Sequence, residues 1–84
     1  MIKCSFDFDG TLDNIYIQDY ALELINRGIE VWIDTSRFDK INFIKQYHSS
    51  LEYAELANKD LFDIAKRLGI SNHHIYFTKV MDSI

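Results

Sequence analysis

The spacing of hydrophobic and polar residues changes from one short segment of the chain to the next. Residues 2–8 form an apolar run that ends at Asp-Gly-Thr, and residues 29–33 form a second run that ends in four polar residues. Both are typical of buried strands. Between them, apolar side chains recur with the spacing of one helix face, at Ile17, Tyr20, Ala21, Leu24 and Ile25. The opposite face of this helix is predicted to be exposed to solvent and carries Gln18, Asp19, Glu23, Asn26 and Arg27.

The second half of the chain predicts two further helices and a third strand. A helix is expected over residues 39–47, with Ile41 and Ile44 facing inward. Residues 48–57 are ambiguous, since Ser50 could cap a helical turn or the stretch could be a loop. Asn58 is expected to cap the last helix, whose inner face carries Leu61, Ile64, Ala65 and Leu68. The third strand is expected at about residues 74–78.

This order of elements predicts an α/β fold with parallel strands. The carboxyl ends of parallel neighbours meet at one edge of a sheet, where ligands of open α/β sheets bind. We therefore expect several polar residues to gather at that edge, namely Asp7, Asp9, Thr35, Ser36, Thr78 and Lys79.

Length and composition narrow the class of protein. A chain of 84 residues with 48% hydrophobic residues is predicted to be one small domain with a packed core. The net charge of −4 argues against a nucleic-acid-binding protein, which needs a basic face. No apolar run is long enough to span a membrane. The single cysteine, Cys4, cannot form an internal disulfide, so we expect a cytoplasmic location.

The candidate chemistry lies in the segment from Asp7 to Thr11. Two carboxylates two residues apart repel each other, and Mg²⁺ commonly offsets such repulsion, because it prefers carboxylate oxygens, water and phosphate. Gly10 lets a ligand approach the backbone, and Thr11 offers a hydroxyl and an N–H group. The alternative is that Asp-Gly-Thr only turns the chain and that Asp7 is a solvated strand end.

The run Phe-Asp-Phe-Asp-Gly-Thr-Leu at residues 6–12 resembles the first signature of the haloacid dehalogenase superfamily of phosphohydrolases. The run Val-Trp-Ile-Asp-Thr-Ser-Arg at residues 31–37 resembles its second signature. The short segment between them is similar to small, capless, nucleotidase-like members. The resemblance implies a single domain over residues 1–84, with a three-layer, Rossmann-like parallel sheet.

The resemblance also implies roles for individual residues. Asp7 would be the nucleophile that forms an aspartyl-phosphate, and Asp9 would be the general acid and then the base for water. Mg²⁺ would be held by Asp7 and by the backbone carbonyl of Asp9. Thr35 would donate to the phosphoryl oxygens, with Ser36 beside it. Arg37 either pairs with the substrate phosphate or is a solvated arginine at a helix start.

Two signatures of the superfamily lack clear counterparts. Lys79 is the nearby candidate for the third-signature lysine, although it also reads as a surface residue. Asp82 has no strand in front of it and reads as a solvated residue. We therefore expect weak Mg²⁺ binding and a domain that is incomplete at its carboxyl end.

The preferred function is a Mg²⁺-dependent phosphomonoester hydrolase that acts on a small phosphorylated metabolite, with a nucleotide as one option. The alternative is a non-catalytic remnant of this fold that binds a phosphate ligand or a protein partner. A third reading, a signalling domain that retains its aspartyl-phosphate, is disfavoured because Asp9 can activate water. Self-association is expected through the exposed edge of the first strand.

Overall fold

A computed structural model describes residues 2–79 of the chain. Asp82 lies outside these residues. The three strands are β1 (Lys3–Asp7), β2 (Glu30–Thr35) and β3 (Ile75–Phe77). The four α-helices are α1 (Ile15–Asn26), α2 (Lys40–Tyr47), α3 (Leu51–Ala57) and α4 (Lys59–Leu68).

The strands form one parallel sheet in the order β1-β2-β3. Phe6 is aligned with Ile33, which is aligned with Ile75, so these three side chains lie on the same face. The α/β class and the parallel sheet expected from the sequence are confirmed. β1 is an edge strand of the sheet formed by residues 2–79.

The core lies on one face of this sheet. Val31, Ile33 and Ile75 are buried there together with side chains of α1 and α4, notably Ala21, Leu24, Leu61, Ala65 and Leu68. On the opposite face Lys3, Ser5, Asp7 and Tyr76 are exposed. Residues 2–79 thus form two layers, a sheet and its helices, and not the three layers that the resemblance implies.

Side-chain caps explain where three of the helices begin. Asn14, Asp39 and Ser50 each accept a hydrogen bond from a backbone N–H in the first turn of α1, α2 and α3. The ambiguous segment 48–57 therefore contains a helix, with Ser50 as its cap. Helix α4 ends at Gly69, whose φ of 79° is the left-handed conformation that glycine adopts at low cost.

Three expectations about individual side chains are wrong in whole or in part. Gln18 is only 4% exposed, because its Nε2 donates to the carbonyl of Leu12 at 3.0 Å. Ile41 is 62% exposed, because α2 packs mainly against α3 and buries none of its residues. Asn58 occupies the N-cap position of α4 as expected, but its side chain makes no capping hydrogen bond, and its Nδ2 donates to the carbonyl of Phe38 at 2.8 Å.

None of the helices in the described part of the chain is both long enough and apolar enough to cross a membrane.

Candidate active site

The turn after β1 is fixed at both ends by buried side chains. Phe8 and Leu12 are 1% and 0% exposed, and the N–H of Asp13 donates to the carbonyl of Phe8 at 3.1 Å. Between them Gly10 has a φ of 81°, which side chains rarely tolerate, and its N–H donates to Oδ2 of Asp13. This turn holds Asp9 at the carboxyl end of the sheet.

A cavity of about 280 Å³ opens at this edge of the sheet. It is lined by Asp7, Phe8, Asp9, Asp34, Thr35, Ser36 and Thr78. Four of the predicted site residues, Asp7, Asp9, Thr35 and Ser36, therefore surround one space. The expectation that the strand ends bring these four residues together is confirmed.

Thr35 is the most enclosed polar residue of the cavity, with 4% exposure. Its Oγ1 accepts a hydrogen bond from the N–H of Arg37 at 3.1 Å. Its carbonyl accepts two from Thr78, from N at 2.9 Å and from Oγ1 at 3.0 Å. The hydroxyl proton of Thr35 is not used in these contacts, so it is available to a ligand oxygen in the cavity.

Arg37 lies beside the cavity and binds two carboxylates at once. Its Nε and Nη2 donate to Asp9 at 2.9 and 2.7 Å. Its Nη1 and Nη2 donate to Asp60, in the first turn of α4, at 2.7 and 3.0 Å. The guanidinium also lies over the ring of Phe8, with Cζ 4.9 Å from the ring centre. Arg37 is thus not a freely solvated arginine, and in this structure its guanidinium is occupied by Asp9 and Asp60.

The hydrogen bonds from Arg37 hold the pKa of Asp9 and that of Asp60 below the ordinary aspartate value, against the opposing effect of burial. The same contacts raise the pKa of Arg37, so it remains charged. A carboxyl with a lowered pKa is ionised near neutral pH and has no proton to donate. In this arrangement the contact with Arg37 favours the ionised form of Asp9.

Asp7 differs from Asp9 in having no hydrogen-bond or ion-pair partner within residues 2–79. The carboxylates of Asp7 and Asp34 both line the cavity. The two residues are aligned in the register of β1 and β2. Within the described residues there is no cluster of three or more His, Cys, Asp or Glu side chains placed to hold a metal. Two cavity carboxylates still fit Mg²⁺, which takes its other ligands from water and phosphate.

The remaining predicted residues lie at the margin. Gly10 and Thr11 belong to the turn but do not line the cavity. Lys79 lies beyond Ser36 and Arg37, with Nζ 5.0 Å from the ring centre of Phe38.

The sequence analysis missed two carboxylates near the cavity. Asp34 could have been found by aligning the ends of β1 and β2, which places it next to Asp7. Asp60 gives no local signal, because its contact with Arg37 spans 23 positions and depends on how α4 packs.

Comparison with known proteins adds no assignment: no family model, curated protein or solved structure matches this chain.

Proposed function

We propose that this protein is a Mg²⁺-dependent phosphomonoester hydrolase of the haloacid dehalogenase type that works through an aspartyl-phosphate. The observation that carries the proposal is the Asp7 carboxylate, which has no partner within residues 2–79 and lines the same cavity as the Thr35 hydroxyl. The resemblance of residues 6–12 and 31–37 to the first two signatures supports it. The parallel sheet in the order β1-β2-β3 is consistent with the α/β class that the resemblance implies.

The reaction has two steps. An Asp7 oxygen attacks phosphorus, its bond to phosphorus forms, and the bond from phosphorus to the ester oxygen breaks. The leaving oxygen takes a proton from Asp9. Water then attacks the phosphorus of the aspartyl-phosphate, gives its proton to Asp9 and releases phosphate and the Asp7 carboxylate. Thr35 donates a hydrogen bond to a phosphoryl oxygen in both steps.

Magnesium would be held by Asp7, by the carbonyl of Asp9 and by Asp34, and it would neutralise charge on the phosphoryl oxygens. Few protein oxygens are available to it, which is consistent with weak binding before the substrate arrives.

Arg37 must exchange partners for this chemistry to proceed. The oxygen atoms of a phosphoryl group in the cavity can accept hydrogen bonds from the guanidinium of Arg37 in a geometry similar to that of a carboxylate. Transfer of Arg37 from Asp9 to the phosphoryl group would release the Asp9 side chain and let its pKa rise toward the ordinary value. The negative charge of the phosphoryl group beside Asp9 would raise that pKa further, so that Asp9 takes up a proton from water and passes it to the leaving oxygen.

The alternative is a phosphate-binding module without turnover. The contact that favours it is the bidentate pair between Arg37 and Asp9, which holds the proposed acid in its ionised form. In that case phosphate would bind, but no ester would be cleaved.

The test is hydrolysis of 4-nitrophenyl phosphate with and without Mg²⁺. We expect Mg²⁺-dependent release of phosphate that Asp7→Asn abolishes. Asp19→Asn, an equal charge change at an exposed position of α1, serves as the control and should retain the wild-type rate. A rate that falls only a few-fold in Asp7→Asn would contradict the role of Asp7. Binding of phosphate without any hydrolysis would favour the non-catalytic module.

A further inference from the structure

A second cavity of about 240 Å³ adjoins the first one. Ser36 lines both cavities, and Arg37, which lines the second, binds Asp9 of the first. The other residues that line it are Phe38, Phe43, Tyr47, Ala57, Asn58 and Lys79. If the phosphate of a ligand binds in the first cavity, the second cavity can therefore hold the rest of the ligand.

Three aromatic rings form one group in this second cavity. Tyr47 lies 4.8 Å from Phe43 and 6.0 Å from Phe38, measured between ring centres. Both distances are in the range of favourable aromatic pairs. Tyr47 is nevertheless 58% exposed, whereas Phe38 and Phe43 are half-buried. This leaves aromatic surface open to a flat ring of a ligand.

The two charged residues that line the second cavity are both cations. The guanidinium of Arg37 lies at one side, and Lys79 lies over the ring of Phe38 with Nζ 5.0 Å from its centre. Arg37 already binds two carboxylates, so Lys79 is the lining cation for which no carboxylate partner is found within residues 2–79. The second cavity thus combines aromatic packing with a cation that complements an anionic ester.

We propose that the second cavity binds the aromatic or heteroaromatic portion of the substrate, so that the preferred substrates are phosphomonoesters carrying a planar ring. The proposal rests on the proposed function, because it places the phosphate of the same molecule in the first cavity. It narrows the substrate class from any small phosphomonoester to those with a ring near the phosphate.

The experiment compares 2-phenylethyl phosphate with 2-cyclohexylethyl phosphate, which have similar size and similar leaving groups. Wild-type protein should favour the phenyl ester in kcat/KM by about five- to tenfold. Tyr47→Leu should bring the ratio of the two kcat/KM values close to one, whereas Tyr47→Phe should keep it. Tyr53→Leu is the matched control, because Tyr53 is an exposed tyrosine of α3 that does not line this cavity.

Circular dichroism of each variant establishes that it is folded, and calorimetry of both esters with Asp7→Asn measures binding without turnover. Equal kcat/KM values for the two esters in wild-type protein would overturn the inference and leave the hydrolase intact. Preferential binding of the phenyl ester without hydrolysis would support the inference and contradict the hydrolase. Absence of both hydrolysis and binding would contradict both proposals.

Discussion

Arg37 donates two hydrogen bonds to the carboxylate of Asp9, from Nε to Oδ2 at 2.9 Å and from Nη2 to Oδ1 at 2.7 Å. The two residues are 28 positions apart, and they meet because β1 and β2 end at the same edge of the sheet. The contact between Arg37 and Asp9 therefore affects both the stability of the domain and its proposed chemistry. The contact holds the ends of β1 and β2 together. It also keeps Asp9 ionised, although Asp9 is the residue that must supply a proton.

Arg37→Gln should lower the free energy of unfolding by about 1 kcal/mol, because it leaves Asp9 and Asp60 without their shared cation. The expected loss is small, since the two carboxylate side chains are 55% and 59% exposed and solvent screens their interaction. Denaturant unfolding measures it. Arg27→Gln is the control, because Arg27 pairs with Glu23 on the exposed surface of α1. Equal stability of the two variants would show that the contact contributes nothing.

The contribution of Arg37 to stability should depend on pH. The pKa values of Asp9 and Asp60 are lowered in the folded protein, so the contribution is fully present above the ordinary value of 3.8. It is lost as the pH falls through their lowered values, where the carboxylates become protonated. The difference in melting temperature between wild type and Arg37→Gln should therefore stay constant from about pH 7 to about pH 5 and shrink as the pH falls below 3.8. A difference that grows in acid would contradict the assignment.

Asp60→Asn should tighten binding of inorganic phosphate several-fold. The substitution removes one of the two carboxylates that occupy Arg37, and it leaves the guanidinium freer to bind an anion. Calorimetry with phosphate is the measurement. Asp63→Asn makes the same charge change on the same helix, but Asp63 pairs with Lys59 and not with Arg37. If both variants bind phosphate equally well, net charge and not release of Arg37 is the cause.

The parts of the fold that sequence predicts well are those fixed by local pattern. Helix α1 follows from the spacing of its apolar side chains, and β1 and β2 follow from apolar runs that end in polar residues. The prediction is wrong where a partner outside the helix decides. The polar residue type of Gln18 predicts a solvent-exposed position, yet its amide binds the carbonyl of Leu12. Asn58 takes the predicted N-cap position of α4, yet its side chain binds the carbonyl of Phe38 and makes no capping hydrogen bond.

The same distinction holds for the site. Asp7, Asp9 and Thr35 could be placed together because parallel strands bring their carboxyl ends to one edge. The state of Asp9 could not be predicted, because it depends on the rotamer of Arg37 and on the packing of α4 that brings in Asp60. Such contacts between remote segments leave no trace in local spacing.

The edge of β1 should make the protein self-associate. Unpaired backbone groups of an edge strand can pair with a second chain, and β1 is at the edge of the sheet formed by residues 2–79. Ser5→Lys, in the middle of β1, should weaken the association, whereas Asn26→Lys, an equal charge change at the exposed end of α1, should not. Sedimentation velocity at several concentrations measures it. A wild-type protein that stays monomeric at every concentration would show that this edge does not pair.

The most direct test of the account is to trap the aspartyl-phosphate in the Asp9→Asn variant. With 4-nitrophenyl phosphate the leaving group needs little protonation, so the first step should proceed while the second lacks its base. We predict a burst of about one equivalent of 4-nitrophenolate, followed by conversion of Asp7 to homoserine when the sample is reduced with borohydride and examined by peptide mass spectrometry. Release of 4-nitrophenolate without a burst, and with Asp7 unmodified, would contradict the covalent mechanism.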